Sequence, residues 1–156
     1  MLASVTRLRV RSLKYLPAFL WKTFLTQRQV ARARGFAGGR LLLDRRWTFW
    51  TLTGWASEQA MKTFRGSGLH AKVMPHLKEW CDEASYAHWV QDGDSVPTWE
   101  QAYEHLVREG RLSPVAHPSS SHEARHFVEP RLNPLIGQDL KPAKEGRTTS
   151  DLLHSD

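Results

Sequence analysis

The stretch Trp47 to Leu77, WTFWTLTGWASEQAMKTFRGSGLHAKVMPHL, changes its hydrophobic period part way along, and this change constrains the fold more than any other feature of the chain. From Trp47 to Trp55, aromatic and β-branched residues crowd a short run, which suits a strand buried at least in part on both sides. Ser57 can then cap a helix, and Ala60, Met61, Phe64, Leu69, Val73, Met74 and Leu77 follow at roughly helical spacing around a Gly66-Ser67-Gly68 interruption. The segment therefore reads as a strand that feeds a broken helix.

Its neighbours extend the pattern. Ala3 to Val10 alternates as a strand with one apolar side, and Arg7, Arg9 and Arg11 are expected to be solvated or salt-bridged rather than ligand-binding. Pro17 to about Ala33 forms a helix whose stripe includes Leu16, Leu20, Phe24 and Ala31, with Lys22, Arg28 and Arg32 on the other side. A helix lying on a membrane surface could have this pattern, but the closely flanking strands favour one that covers a core. Gly35 to Gly39 reads as a turn opening a strand from Arg40 to Arg45, and not as a phosphate loop, because neither a Lys-Ser/Thr pair nor a helix follows. Asp44-Arg45-Arg46 returns the chain into the Trp47 strand.

Pro75 is expected to punctuate the helical region. Glu83 to Val90 then supplies a fourth strand, with Tyr86, His88 and Val90 on one side and Ser85, Ala87 and Trp89 on the other. The order β-α-β-β-α-β predicts an α+β fold: a ferredoxin-like antiparallel sheet with helices on one face and the other face in need of cover. A second copy of the chain is the simplest cover, so a homodimer is expected. Pro97 to Gly110 forms a further helix capped by Thr98, packing on the sheet margin or on a partner. Beyond Ser113, prolines and a Ser119-Ser120-Ser121 run interrupt every candidate element. The organisation expected is thus a domain over residues 1–112 and an extended, partly disordered tail over 113–156.

Charge and composition exclude several classes. The net charge of +6 is concentrated at one end: residues 1–46 carry eleven Lys/Arg against a single acid, Asp44, and the remainder carries eleven against fifteen. No glycine-rich phosphate loop, zinc finger or aromatic RNA-binding motif accompanies the basic end, so no nucleic-acid partner is expected. Cys81 is the one cysteine, which rules out an intrachain disulfide and suits a buried structural thiol beside Trp80. No run approaches the roughly 20 apolar residues that cross a bilayer, and the expected location is cytoplasmic. The Arg-rich opening superficially resembles a transit peptide, but the same residues are needed for the first strand and helix.

Once Trp55-Ala56-Ser57-Glu58-Gln59-Ala60-Met61 is reached, the chain resembles the dimeric α/β-barrel superfamily, which includes antibiotic biosynthesis monooxygenases and haem-degrading monooxygenases. The Arg34-Gly35-Phe36 turn after the first helix, the strand ending in Trp55-x-Ser57-x-x-Ala60-Met61, and Ser67 and His70 in the next helix carry the resemblance, over roughly residues 3–90. It implies a dimeric barrel and a pocket between each sheet and its own helices. Haem-degrading relatives carry Trp where Phe64 stands and a His ligand where Met74 stands. The expectation is accordingly of no cofactor, with haem kept open because Met can ligate iron.

Within such a pocket, His70 is the candidate catalytic base, since a neutral imidazole can take a proton near neutral pH. Arg65 would hold an enolate oxygen, and Trp50, Trp55, Phe64, Met74 and His88 would line the substrate site. Flanking Pro and Ser residues argue against a metal cage built from His117, His122 and His126, and no metal is expected. The functional reading from the sequence is a small-molecule binding protein with monooxygenase-like chemistry on an aromatic or polycyclic substrate. Its alternatives are a non-enzymatic ligand-binding or structural homodimer, and a haem protein.

Overall fold

A computed structural model describes residues 1–44, 46–131 and 136–143. The elements are β1 (Leu2–Val10), a 3-10 turn (Leu13–Tyr15), α1 (Leu16–Ala31), β2 (Phe36–Leu43), β3 (Thr48–Trp55), α2 (Glu58–Arg65) and α3 (Gly68–Trp80). They are followed by β4 (Cys81–Val90), α4 (Trp99–Glu109), β5 (Arg111–Leu112), α5 (Ser120–Glu123) and β6 (Ile136–Leu140). The strands form an antiparallel sheet in the order β5-β4-β1-β3-β2-β6. Its middle four strands, β4-β1-β3-β2, have the ferredoxin-like arrangement expected from the sequence.

Register decides which residues share a face. Val5 stands opposite both Leu52 and Ala87, and Thr6 opposite both Thr51 and Tyr86, so successive rows across β3, β1 and β4 alternate between the faces. One face carries Ala3, Val5, Trp50, Leu52 and Ala87, all buried, and α4 packs on it through Ala102 and Leu106. Trp89 of β4 stacks on His105 of α4 with ring centroids 4.0 Å apart and planes 8° from parallel. Tyr103 Oη donates to the Phe127 carbonyl at 3.0 Å, tying the following segment to the same layer. The face for which the sequence suggested a second copy is therefore covered by the chain's own α4, which buries its apolar stripe there instead of at the sheet margin. α4 is held at its start by a capping box between Thr98 and Gln101.

The other face carries Leu8, Leu41, Phe49, Thr51, Thr53, Trp55, Tyr86 and His88, and looks toward α1, α2 and α3. Phe19 of α1 meets Phe49 with ring centroids 4.3 Å apart, closing one end of the space between the layers.

Several expectations are corrected. β2 begins at Phe36 and takes in the glycines expected to form a turn, because the backbones run close together there: a Cβ on Gly39 would lie 2.4 Å from the Leu52 carbonyl oxygen. Pro75 sits inside a continuous α3 and does not divide it. Arg7 and Arg9 are salt-bridged, one of the two outcomes expected: Arg7, buried, pairs with Glu83, while Arg9 pairs with both Asp82 and Glu83. The chain after Ser113 is extended but docked: Ser113 N–H donates to Ala84 O at 2.9 Å, Ser119 N–H to Asp82 O at 3.0 Å, and Phe127 is buried. β6 adds a strand beside β2 that the sequence reading did not anticipate. The last part of the expected tail, 144–156, lies outside the described residues.

Candidate functional site

Between the sheet and α1, α2 and α3 lies a cavity of about 520 Å³. Its walls are mostly apolar, from Phe19, Val30, Phe49, Trp55, Met61, Phe64 and Leu77. Threonines from the sheet, Thr6, Thr51 and Thr53, supply a polar floor. Among the described lining residues the charged or titratable ones are Arg65, His70, Lys78, Tyr86 and His88, and no carboxylate is present.

The break between α2 and α3 places the candidate base. Ser57 Oγ accepts the Ala60 N–H and starts α2, while Ser67 makes no such side-chain bond at the start of α3. Gln29, reaching across from α1, replaces it: its Oε1 accepts the His70 N–H at 3.0 Å and its Nε2 donates to the Ser67 carbonyl at 3.0 Å. Gly68 adopts a φ of +57°, and a Cβ there would lie 2.7 Å from Gln29 Nε2, so glycine is what lets the amide approach. Sequence reasoning missed Gln29, because nothing local marks a side chain whose partners lie in a different helix.

His70 lines the cavity with its ring 4.8 Å from that of Phe64, which lies 5.2 Å from the Trp55 ring. The His70 Nδ1 is 3.3 Å from the Arg65 carbonyl oxygen. A carbonyl can only accept, so the neutral imidazole carries its proton on Nδ1 and keeps a free lone pair on Nε2. Burial, and to a smaller degree the Arg65 charge, push the His70 pKa below the ordinary imidazole value, which keeps the ring neutral at pH 7. His88 is shifted down in the same way, mainly by burial and then by Arg65 and Arg111. Its ring lies 5.1 Å from that of Tyr86, and the Arg65 guanidinium stands over the Tyr86 ring at 5.9 Å.

Of the residues singled out from the sequence, His70, Arg65, Trp55, Phe64, Met74 and His88 all line this cavity. Trp50 does not. It is buried on the opposite face, against the layer built by α4, because its place in the β3 alternation is out of phase with Thr51, Thr53 and Trp55. Among the described residues no group of His, Cys, Asp or Glu is placed to hold a metal ion. Were haem bound, His70 or Met74, one turn later on the same side of α3, would be the cavity residues able to ligate its iron. No helix among the described residues is long and apolar enough to cross a membrane.

The ferredoxin-like sheet with a cavity beneath its helices defines a fold of the antibiotic biosynthesis monooxygenase-like kind. The chain resembles Rv0793 from Mycobacterium tuberculosis at a TM-score of 0.55 and 14% identity, over 60% of this chain and 98% of that one. An antibiotic biosynthesis monooxygenase is similar at 0.51 and 12%, over 62% and 100%. SnoaB, a cofactor-independent oxygenase from Streptomyces nogalater, is similar at 0.50 and 16%, over 62% and 97%. At such identities the likeness is one of fold. Within that class the chain belongs to the family described as Domain of unknown function (DUF3291), whose model matches residues 10–125. No curated protein sequence matches it.

Proposed function

We propose that this protein binds an aromatic or polycyclic small molecule in the cavity and oxygenates it without a cofactor, with His70 as general base. The observation that carries this reading is the 3.3 Å approach of His70 Nδ1 to the Arg65 carbonyl: it assigns the Nδ1 proton to that carbonyl and leaves Nε2 as a neutral base on the cavity wall. Trp55 and Phe64 supply aromatic surface for a flat substrate and keep water from the reacting carbon.

In the step envisaged, His70 removes a proton from a ring methylene next to a carbonyl, and the enolate oxygen is held by Arg65, which makes no ion pair among the described residues. The carbanion reduces dioxygen to a hydroperoxide on the same carbon. Loss of water then leaves a new carbonyl, so one oxygen atom enters the product, the other leaves as water, and the substrate supplies the electrons. Every group named comes from a single chain. The similarity in fold to SnoaB supports cofactor-free chemistry by analogy.

The test is oxygen uptake by purified protein with an anthrone-like substrate. A rate that falls by about 10²–10⁴ in His70→Ala, with an unchanged circular dichroism spectrum, supports the base assignment. Binding of aromatic ligands without oxygen uptake, unaffected by His70→Ala, would leave a ligand-binding protein. A Soret band in the purified protein would replace the reading with a haem site.

A further inference from the structure

α1 carries two apolar faces, and the fold covers one of them. Leu16, Phe19 and Val30 are buried against the sheet. Trp21 lies on the far side of the helix and Leu20 and Phe24 at the edge of the buried face; the three are 59%, 39% and 47% exposed. Trp21 and Phe24, one turn apart, stack with ring centroids 5.9 Å apart, and the Arg28 guanidinium caps the Phe24 ring at 5.8 Å. A patch of this kind is costly in water unless something covers it.

Its position relative to the cavity is the second observation. Leu20 and Phe24 line the cavity as well, and so do Met74 of α3 and Ile136 of β6, which are 40% and 47% exposed. Residues that both line a cavity and reach solvent stand at its mouth. The opening is therefore ringed by hydrophobic side chains and is continuous with the aromatic patch of α1.

The third observation is charge. No carboxylate occurs before Asp44, and Asp44 is itself buried. Over the same stretch the surface of the 3-10 turn and α1 presents Lys14, Lys22, Arg28 and Arg32, and Lys78 adds a cation from the cavity wall. Among the described residues none of these five forms an ion pair. Exposed Trp and Phe on a helix that carries unpaired cations, in a stretch with no acid before Asp44, complement a surface that is apolar at depth and anionic at its rim.

We propose that the outer face of α1 docks on an anionic lipid bilayer and opens the cavity mouth onto it, so that an apolar ligand passes between membrane and cavity without crossing water. The docking follows from α1 alone. The passage of ligand rests on the cavity reading given above.

Co-sedimentation with vesicles tests the docking with no substrate present, so it is independent of any His70 chemistry. The full chain should bind phosphatidylglycerol/phosphatidylcholine vesicles, bind pure phosphatidylcholine far less, and be released by added salt. Trp21→Ser with Phe24→Ser should weaken the anionic-vesicle partition by at least about tenfold while leaving the thermal melt unchanged, and Lys22→Glu with Arg28→Glu should do the same. Absence of binding to anionic vesicles at low salt overturns the proposal. So does binding that survives loss of the two aromatic residues but not charge reversal, which is plain polyanion attraction. A third contrary result is a wild-type dimer that Trp21→Ser and Phe24→Ser convert to monomer, because the patch would then be the seat of a second copy. If docking holds and oxygen uptake fails, the surface stands and the catalytic reading falls.

Discussion

Gln29 and His70 are joined across two helices: the Gln29 side-chain oxygen accepts the His70 backbone N–H at 3.0 Å, while the Gln29 nitrogen donates to the carbonyl of Ser67. One amide thus fixes the start of α3, from its N-cap Ser67 to His70, and with it the position of the imidazole. Gln29→Leu keeps the size but makes neither bond, and Gln29→Glu can accept but cannot donate. We expect Gln29→Leu to cost about 1–2 kcal/mol in urea unfolding. The oxygenation rate should fall much further than the occupancy of the cavity, and Gln29→Glu should recover part of it. Equal loss of binding and turnover would mean that Gln29 holds the cavity wall and not the base.

The pH dependence has a definite sign. The folded-state pKa of His70 lies below the ordinary imidazole value of 6.5 because burial disfavours the cation. Between the two values the unfolded chain binds the proton and the folded chain does not. The contribution to stability is therefore complete above pH 6.5 and is lost as the pH falls through the folded-state pKa. Removing that titration in His70→Gln should flatten the acid side of the stability curve. The rate should show an acid limb below pH 6.5, and a limb above 6.5 would contradict a neutral base.

The ion pair on the opposite face gives a sharper stability prediction. Arg7 and Glu83 are both buried, and Ser119 Oγ and Arg9 also reach the Glu83 carboxylate, at 3.0 and 2.9 Å. Glu83→Leu leaves the Arg7 charge buried without its partner and should destabilise by about 3–5 kcal/mol. Arg7→Met combined with Glu83→Leu should recover much of that loss, and the recovery, read from denaturant midpoints, measures the coupling.

Cys81 offers a negative prediction. It is fully buried, and burial with the neighbouring Asp82 charge pushes its pKa up to about 12. At pH 8 the native protein should therefore resist an aromatic disulfide reagent, and labelling should track unfolding. Rapid labelling of the native chain would show that the floor of the β4 strand opens.

The cavity floor can be filled. Thr51→Trp should occupy space under the helices without displacing a buried side chain, since Thr51 faces the cavity. Ligand binding should be abolished while the far-ultraviolet spectrum is retained. Binding that persists in this variant would place the ligand elsewhere.

The parts legible in the sequence were those carried by local period. The alternation of the first and fourth strands, the aromatic and β-branched run of the third, the Ser57 and Thr98 caps and the Gly66 to Gly68 break all follow from neighbouring residues, and each is present. Gly35 to Gly39 misled because glycine permits a turn and also a close strand pairing, and only the distance to Leu52 decides between them. Trp50 fits the site by residue type alone. A single step of register separates it from Thr51, and short aromatic-rich runs do not say which parity faces which layer. Gln29 and the burial of Arg7 depend on partners tens of residues away, to which hydrophobic spacing is blind.

Because α4 is tethered to the very strands it shields, the closure of that layer is a unimolecular event with no dependence on how many molecules are present. Dilution to nanomolar levels would not strip the sheet bare, and the hollow on its far side would keep its shape. Among the described residues, every side chain that walls that hollow belongs to one chain.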